Sequence, residues 1–294
     1  MLRHPISSPG KVLRELVSNE PILLPGVFNP ISALCALKSG ARGLYLSGAG
    51  ISNAELGVPD IALATLGEFS ETARRITSVC PIPVISDSDT GFGESWNVMR
   101  TVIEMERSGL AGIHLEDQVS PKRCGHLDGK ELVTADQFAS KIRAACSAKS
   151  DPSFWIIART DARGVEGLEF AIDRAKKYVK AGADAIFPEG LQTVEEFRLF
   201  REAMKVPLLA NMTEFGKTPI IPFSEFKTMG YEMVIYPMTG FRVMLKSLEE
   251  AYTELILTGS QKDLISKMRT RSELYEMIEY PRYEQLDRLW AEDC

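Results

Sequence analysis

The chain has 294 residues, 45% hydrophobic and 25% charged, which is ample for a large core. Its net charge of −6 and pI near 5.4 argue against a general nucleic-acid or anionic-membrane surface, while leaving room for a local basic pocket that takes an acidic small molecule. No apolar run approaches the ~20 residues of a membrane span, the N-terminal MLRHPISSPGKVLREL lacks an apolar core of signal-peptide length, and the scattered cysteines (35, 80, 124, 146 and 294) show neither zinc nor disulfide spacing, so a reducing cytoplasm is expected.

In chain order, short apolar runs alternate with longer stretches of helical periodicity. The predicted strands are PILLPG (21–26), GLYLSG (43–48), PVISDSD (83–89), AGIHLED (111–117), FWIIARTD (154–161), ADAIFPE (183–189), VPLLANMTE (206–214) and EMVIYPM (232–238). Helices are predicted between them, as in ESWNVMRTVIEMERSG (94–109) and GLEFAIDRAKKYVKAG (167–182). In the second, Leu168, Ile172, Ala175 and Val179 form one apolar stripe. Gly109 and Gly182 stop these two helices. Eight strand–helix units at this length point to a parallel (β/α)8 TIM-type barrel, one domain over residues 1–294; a doubly wound sheet is the competing arrangement. The tail from about residue 259 to 294 reads as further helix, an extension suited to subunit contacts.

In such a barrel the functional groups gather at the C-terminal ends of the strands. Those ends read Ser47-Gly48, Asp87-Ser88-Asp89, His114-Leu115-Glu116-Asp117, Arg159-Thr160-Asp161, Glu189 and Asn211-Met212-Thr213-Glu214. Strand ends turn polar in any fold, but that accounts poorly for acids recurring strand after strand. Asp87 and Asp89 fall on the same side of the chain. Two carboxylates held together repel unless a cation or a proton separates them. A capped turn is the plainer reading of DSD in isolation. At a barrel mouth, a hard ion such as Mg2+ or Mn2+ needs only one or two protein carboxylates, and Asp60, Glu116 and Glu189 are available to complete its shell directly or through water. No His or Cys spacing supports zinc.

Arg159, Arg242 and Arg271 are candidate forks for carboxylate or phosphate. Arg159 is the strongest of them, because a charge after FWIIA is costly to bury unpaired. Neither GxxxxGK[ST] nor GxGxxG occurs; the SGAG turn from Ser47 to Gly50 offers backbone amides to any anion. KRCGH, Lys122 to His126, sets Cys124 among positive charges that favour a thiolate. Those five residues alone read equally well as an exposed basic loop with an incidental cysteine.

Taken together, KRCGH, DSDTGFG, HLEDQ, IIARTDA, FPE, NMTEFG and TRSELYE resemble the methylisocitrate lyases, within the isocitrate lyase/phosphoenolpyruvate mutase superfamily, over nearly the whole chain. The resemblance implies a barrel whose last helix swaps between paired subunits of a homotetramer. It implies Mg2+-dependent cleavage, with Mn2+ as an alternative ion, of the small tricarboxylate (2R,3S)-2-methylisocitrate to pyruvate and succinate, in the methylcitrate cycle of propionate catabolism. No nucleic acid or membrane partner is implied. The resemblance places the metal on Asp87 and Asp89, with Asp60 and Glu116 acting through water. It places the substrate on Ser47, Gly48, Ala49, Cys124, Gly125, Arg159, Glu189, Asn211, Met212, Thr213, Arg242 and Arg271. Cys124 then donates a proton to the succinate carbanion, and Lys122, Arg123 and His126 tune the thiol and orient its loop. Tyr45 is a candidate to take the C2 hydroxyl proton, its other reading being a half-buried strand aromatic. The family often has Gly where Ala49 stands.

Isocitrate lyases typically carry KKCGH and are longer, so Arg123 favours the methyl homologue, as do Phe187, Ile235 and Pro237 around the methyl. Isocitrate lyase or another carboxylate lyase of the superfamily is the alternative. A non-catalytic binding barrel predicts erosion of the aspartates, the thiol and the arginines, all of which are present.

Overall fold

The protein is described by a computed structural model over residues 6–123, 125 and 129–292. In chain order the elements are α1 (Pro9–Asn19), β1 (Ile22–Val27), α2 (Pro30–Lys38), β2 (Leu44–Leu46), α3 (Gly48–Gly50), α4 (Leu66–Thr77), β3 (Val84–Asp87), α5 (Ser95–Arg107), β4 (Gly112–Glu116) and α6 (Ala135–Ala148). They continue with β5 (Trp155–Thr160), α7 (Leu168–Lys180), β6 (Ala185–Pro188), α8 (Val194–Ala203), β7 (Leu209–Asn211), α9 (Phe223–Met229), β8 (Met233–Tyr236), α10 (Thr239–Thr258), α11 (Arg271–Met277) and α12 (Tyr280–Glu292).

All eight predicted strands are present, and they pair in parallel in the order β6-β5-β4-β3-β2-β1-β8-β7. β1 lies against β8, with Leu24 opposite Ile235, and a parallel bridge between Ile186 and Leu208 joins β6 to the β7 side. The strands therefore form a ring, which excludes the doubly wound sheet. Alternation along each strand builds two cores. Leu24, Tyr45, Ile85, Ile157, Phe187 and Ile235 fill the barrel, while Leu46, Ile113, Ile156, Ile186 and Val234 face the helices. Burial on both faces is why these strands read as nearly unbroken apolar runs. α1 closes the floor: Leu13 and Val17 join the inner core, and the Trp155 indole donates to the Gly10 carbonyl at 3.2 Å.

The predicted stripe on α7 lies at the edge of the face that goes deepest. Ala175 is buried, but its buried neighbours are Ala171, Arg174 and Tyr178, while Leu168, Ile172 and Val179 only flank the core. The cause is Asp117, fully buried behind β4. Its Oδ2 accepts from Tyr178 OH at 2.7 Å, Thr160 Oγ1 at 2.8 Å and Arg174 Nη1 at 3.5 Å, and its Oδ1 accepts from the Asp161 amide at 2.9 Å. Burial and the Asp161 charge push the Asp117 carboxyl up to about 6, against the pull of these donors.

Past β8, α10 ends at Gly259, whose φ of 65° is the left-handed conformation that glycine adopts without strain. Beyond it, α11 and α12 are helical, and α11 lies against α2, with Lys38 Nζ 3.7 Å from Glu276. No helix among the described residues is long and apolar enough to cross a membrane. Asp117→Leu leaves buried donors without an acceptor. It is expected to cost about 3–5 kcal/mol, seen as a lower urea midpoint at unchanged slope.

Candidate active site

The inward register brings the strand-end groups to one mouth. β3 delivers Asp87 and, just beyond it, Asp89; β4 delivers His114 and Glu116; β5 delivers Arg159; Glu189 and Asn211 close the far side. The carboxylates are nearly all out of solvent: Asp87, Asp89, Glu116 and Glu189 are 4% exposed or less. Arg159 is the hub. Its Nε and Nη2 grip both oxygens of Asp161 at 2.9 and 3.1 Å, its Nη1 lies 3.2 Å from Glu116 Oε2, its Nε lies 4.0 Å from Glu189, and the guanidinium sits 5.2 Å from the Phe187 ring centroid.

The second cation of the cluster is Lys122. It is buried, with its Nζ 2.5 Å from Asp60 and 3.0 Å from Asp89. Its ammonium thus pairs with the acids beside β3. Arg123, the next residue, turns out to solvent, with its guanidinium near Gly129.

Burial is the largest influence on Glu116, Asp89, Asp87, His114 and Tyr45, and the neighbours then separate them. Burial raises Glu116 well above the usual carboxylate range, more than Arg159 and Lys122 can offset. Burial likewise raises Asp89 to about 7, with Asp87 and Asp60 adding repulsion that Lys122 only partly cancels. Asp87 is also penalised by burial, but His114, Lys122, Arg159 and the Asp89 amide together hold it below its ordinary value. Burial lowers His114 to about 4, against the pull of the Asp87 charge. Tyr45 OH lies 2.9 Å from His114 Nε2, and burial followed by the Asp87 charge raises the phenol well above 10.

The acids therefore outnumber the cations the chain supplies. Asp89 Oδ1 and both oxygens of Glu116 are buried with no hydrogen bond of proper alignment; the Lys122 and Arg159 contacts to them are charge pairs only. Hard oxygens held dry and unsatisfied fit Mg2+ or Mn2+. Among the described residues no three His, Cys, Asp or Glu side chains converge to enclose an ion on their own. Mg2+ generally keeps several waters and needs only one or two protein carboxylates.

The predicted substrate groups divide by placement. Ser47 caps α3, accepting the Gly50 amide at 3.1 Å, and Gly48 has room for no side chain, since a Cβ there would stand 2.5 Å from Asp87 Oδ2. Ala49 fits: its methyl packs with Phe28, Met238 and Phe241. Arg242, in the first turn of α10, bonds Thr213 Oγ1 at 3.3 Å and Glu214 Oε2 at 2.5 Å on the rim. Asn211 donates to Glu189 at 3.2 Å. Met212 is a correction: its side chain points outward into the helix-facing core, where its sulfur accepts the Ile221 amide, so only its main chain can face the mouth. The reason is alternation, which turns Asn211 and Thr213 inward and the residue between them out. Arg271 is exposed at the start of α11, and no described contact joins it to the mouth. Cys124 and His126 lie outside the described residues; Gly125 is described, with no room for a Cβ between Glu189 and Arg159. The sequence reading assigned no role to His114, Asp161, Gln118 or Lys130. The inward register singles out the first two, whereas the other two act across the loop and carry no local signal.

The chain matches the phosphoenolpyruvate phosphomutase family over residues 13–256. It is 52% identical to a 2-methylisocitrate lyase of Aeropyrum pernix, covering 98% of this chain and 92% of that one, and 46% identical to a 2-methylisocitrate lyase of Escherichia coli, covering 97% and 98%. Among solved structures, an oxaloacetate acetylhydrolase with the inhibitor 3,3-difluorooxalacetate superposes with a TM-score of 0.91 at 36% identity, covering 98% and 99% of the two chains. A phosphonopyruvate hydrolase solved with oxalate and Mg2+ superposes at 0.86 with 28% identity, covering 96% and 99%. The chain belongs to the phosphoenolpyruvate phosphomutase family and, within it, to the 2-methylisocitrate lyases.

Metal ligands bind deprotonated, so protons compete with the ion. With Asp89 raised to about 7, Mn2+ affinity is expected to rise with pH below about 7 and level off above it. Titration followed by Mn2+ electron paramagnetic resonance checks this, and Asp87→Ala should abolish the binding at every pH. An affinity independent of pH from 5 to 8 would remove Asp89 from the site.

Proposed function

We propose, from that family membership, that the protein is a Mg2+-dependent carbon–carbon lyase that cleaves (2R,3S)-2-methylisocitrate to pyruvate and succinate, a step of propionate breakdown through the methylcitrate cycle. The observation that carries this reading is the convergence of unsatisfied hard-oxygen acids, Asp89 and Glu116 beside Asp87, with the buried guanidinium of Arg159. Asp87 and Asp89 would hold the ion, with Asp60 and Glu116 reached through water. The ion, when bound, supplies the charge that lowers the pKa of the C2 hydroxyl and stabilises the developing negative charge.

The chain's own residues supply the rest. Arg159 and Arg242 take substrate carboxylates, exchanging their contacts to protein carboxylates for substrate ones. The Ser47–Ala49 turn offers its amides to the same anion. A base at the mouth takes the C2 hydroxyl proton, and the C2–C3 bond then breaks, leaving the bonding pair on the succinate fragment. Cys124 then protonates that carbanion. Phe187 and Ile235, buried on the inner barrel face, border the methyl. One methyl is worth only ~1–3 kcal/mol, so slower turnover of isocitrate is compatible with the assignment. A cytoplasmic setting fits the scattered spacing of the five cysteines.

The assembly belongs to the same reading. α10 spans about 30 Å at 1.5 Å per residue, yet Phe241 is its only buried residue, and Val243, Ile256 and Leu257 are 64%, 81% and 78% exposed. Beside its base a groove of about 840 Å³ opens on the outside of β1 and β8, lined by Leu23, Pro25, Phe28, Ile31, Tyr236 and Met244. In a regular barrel the eighth helix covers those strands. The partner subunit's last helix is proposed to fill the groove, within a homotetramer.

Purified protein incubated with 2-methylisocitrate should release pyruvate only when Mg2+ is present, and faster than it turns over isocitrate. Cys124→Ser should lower kcat by ~10²–10⁴-fold with the fold intact; no metal-dependent pyruvate would sink the reading. Ile256→Asp combined with Leu257→Asp should shift the mass measured by light scattering from tetramer toward monomer.

A further inference from the structure

We infer that Gln118 and Lys130 are positioning residues that hold the main chain on both sides of Cys124. The inference rests on the reading of Cys124 as the proton donor. Gln118, 2% exposed, clamps Arg123 twice: its Oε1 accepts the Arg123 amide at 2.9 Å and its Nε2 donates to the Arg123 carbonyl at 2.9 Å. Lys130, 8% exposed, donates to the Gly125 carbonyl and to Asp161 Oδ1, the latter at 3.0 Å. Arg123 and Gly125, the residues on either side of Cys124 in the sequence, are thus each held by a buried side chain.

The anchors are rigid. Asp161 is held by both nitrogens of Arg159 and, through its amide, by Asp117. The loop is closed at its base by the Gln118–Leu132 bridge, by the Val119 amide to the Glu131 carbonyl at 2.8 Å and by the Val133 amide to the Asp117 carbonyl at 3.0 Å. Gly125 lies so close to Glu189 and Arg159 that a Cβ would stand 2.4 Å from Glu189 Cγ and 2.6 Å from Arg159 Nη2. The Lys130 clamp thus sets where the thiol's neighbour sits relative to the arginine that takes substrate. A buried ammonium spent on a main-chain carbonyl and an already paired aspartate supplies placement rather than charge for the substrate.

In the full-length enzyme with Mg2+, Lys130→Met and Gln118→Leu are each expected to lower kcat ~10–100-fold, since a shift of about 1 Å costs that much. KM should stay within about threefold and Mn2+ binding within about twofold. Lys130→Arg and Gln118→Glu, which keep a donor and an acceptor respectively, should recover part of the rate. If Gln118→Leu does not fold, Gln118→Glu carries that half of the test, with a loss smaller than tenfold expected. The proposal is overturned if kcat stays within about twofold in the Met and Leu variants, if the loss falls entirely in KM, if Mn2+ binding is lost with the rate, or if the conservative variants recover nothing. Cys124→Ser measured alongside separates the two readings: near-normal turnover in that variant removes the acid assignment, whereas the clamps stand or fall on their own variants.

Discussion

More carboxylate is buried at one end of this barrel than the chain's own cations balance. Arg159 is the point at which that imbalance is held. It faces Asp161, Glu116 and Glu189 at once, from a strand interior that leaves it 8% exposed. Without that guanidinium the acids of β4 and β6 would face each other across a dry space, where like charges are costly. Its own position depends on Asp161, Asp161 depends on Asp117, and Asp117 depends on Tyr178 and Arg174 of α7. The packing of an outer helix is thereby transmitted to the guanidinium at the barrel mouth.

The frame and the chemistry occupy opposite faces of the same strands. On β4, His114 and Glu116 face the interior, while Ile113 and Leu115 face the helices and Asp117 continues that outward side. The loop after β4 straddles the mouth. Lys122 ties its start to Asp60 and Asp89, and Lys130 ties its end to Asp161. Two buried lysines thus fasten the segment that carries Cys124 to both walls, β3 on one side and β5 on the other. The charge left over among Asp87, Asp89 and Glu116 is of the kind that a hard divalent ion would neutralise.

Much of this was legible in one dimension. The eight strands could be read because each is buried on both faces, and the acids and Arg159 could be read because each directly follows an apolar run. Met212 was misread because it shares a strand end with Asn211 and Thr213 but takes the opposite side. KRCGH looks like one basic patch in the sequence, whereas its first two residues go to different environments, Lys122 inward and Arg123 to solvent. The α7 stripe was displaced because hydrophobicity does not register that Arg174 and Tyr178 have a buried carboxylate to reach.

The sequence by itself determined the number and order of the strands, the acid-rich mouth and the family, because periodicity, strand-end chemistry and motif are local and survive without coordinates. Tertiary structure alone decided that β1 meets β8 and that Asp60, sixty-two residues before Lys122, is its partner. It also decided which acids are raised by burial and which stays ionised, and that Gln118 and Lys130 grip the chain on either side of Cys124. The physical reason is that pairing and desolvation depend on distances across a closed ring, and those distances exist only once the ring has formed.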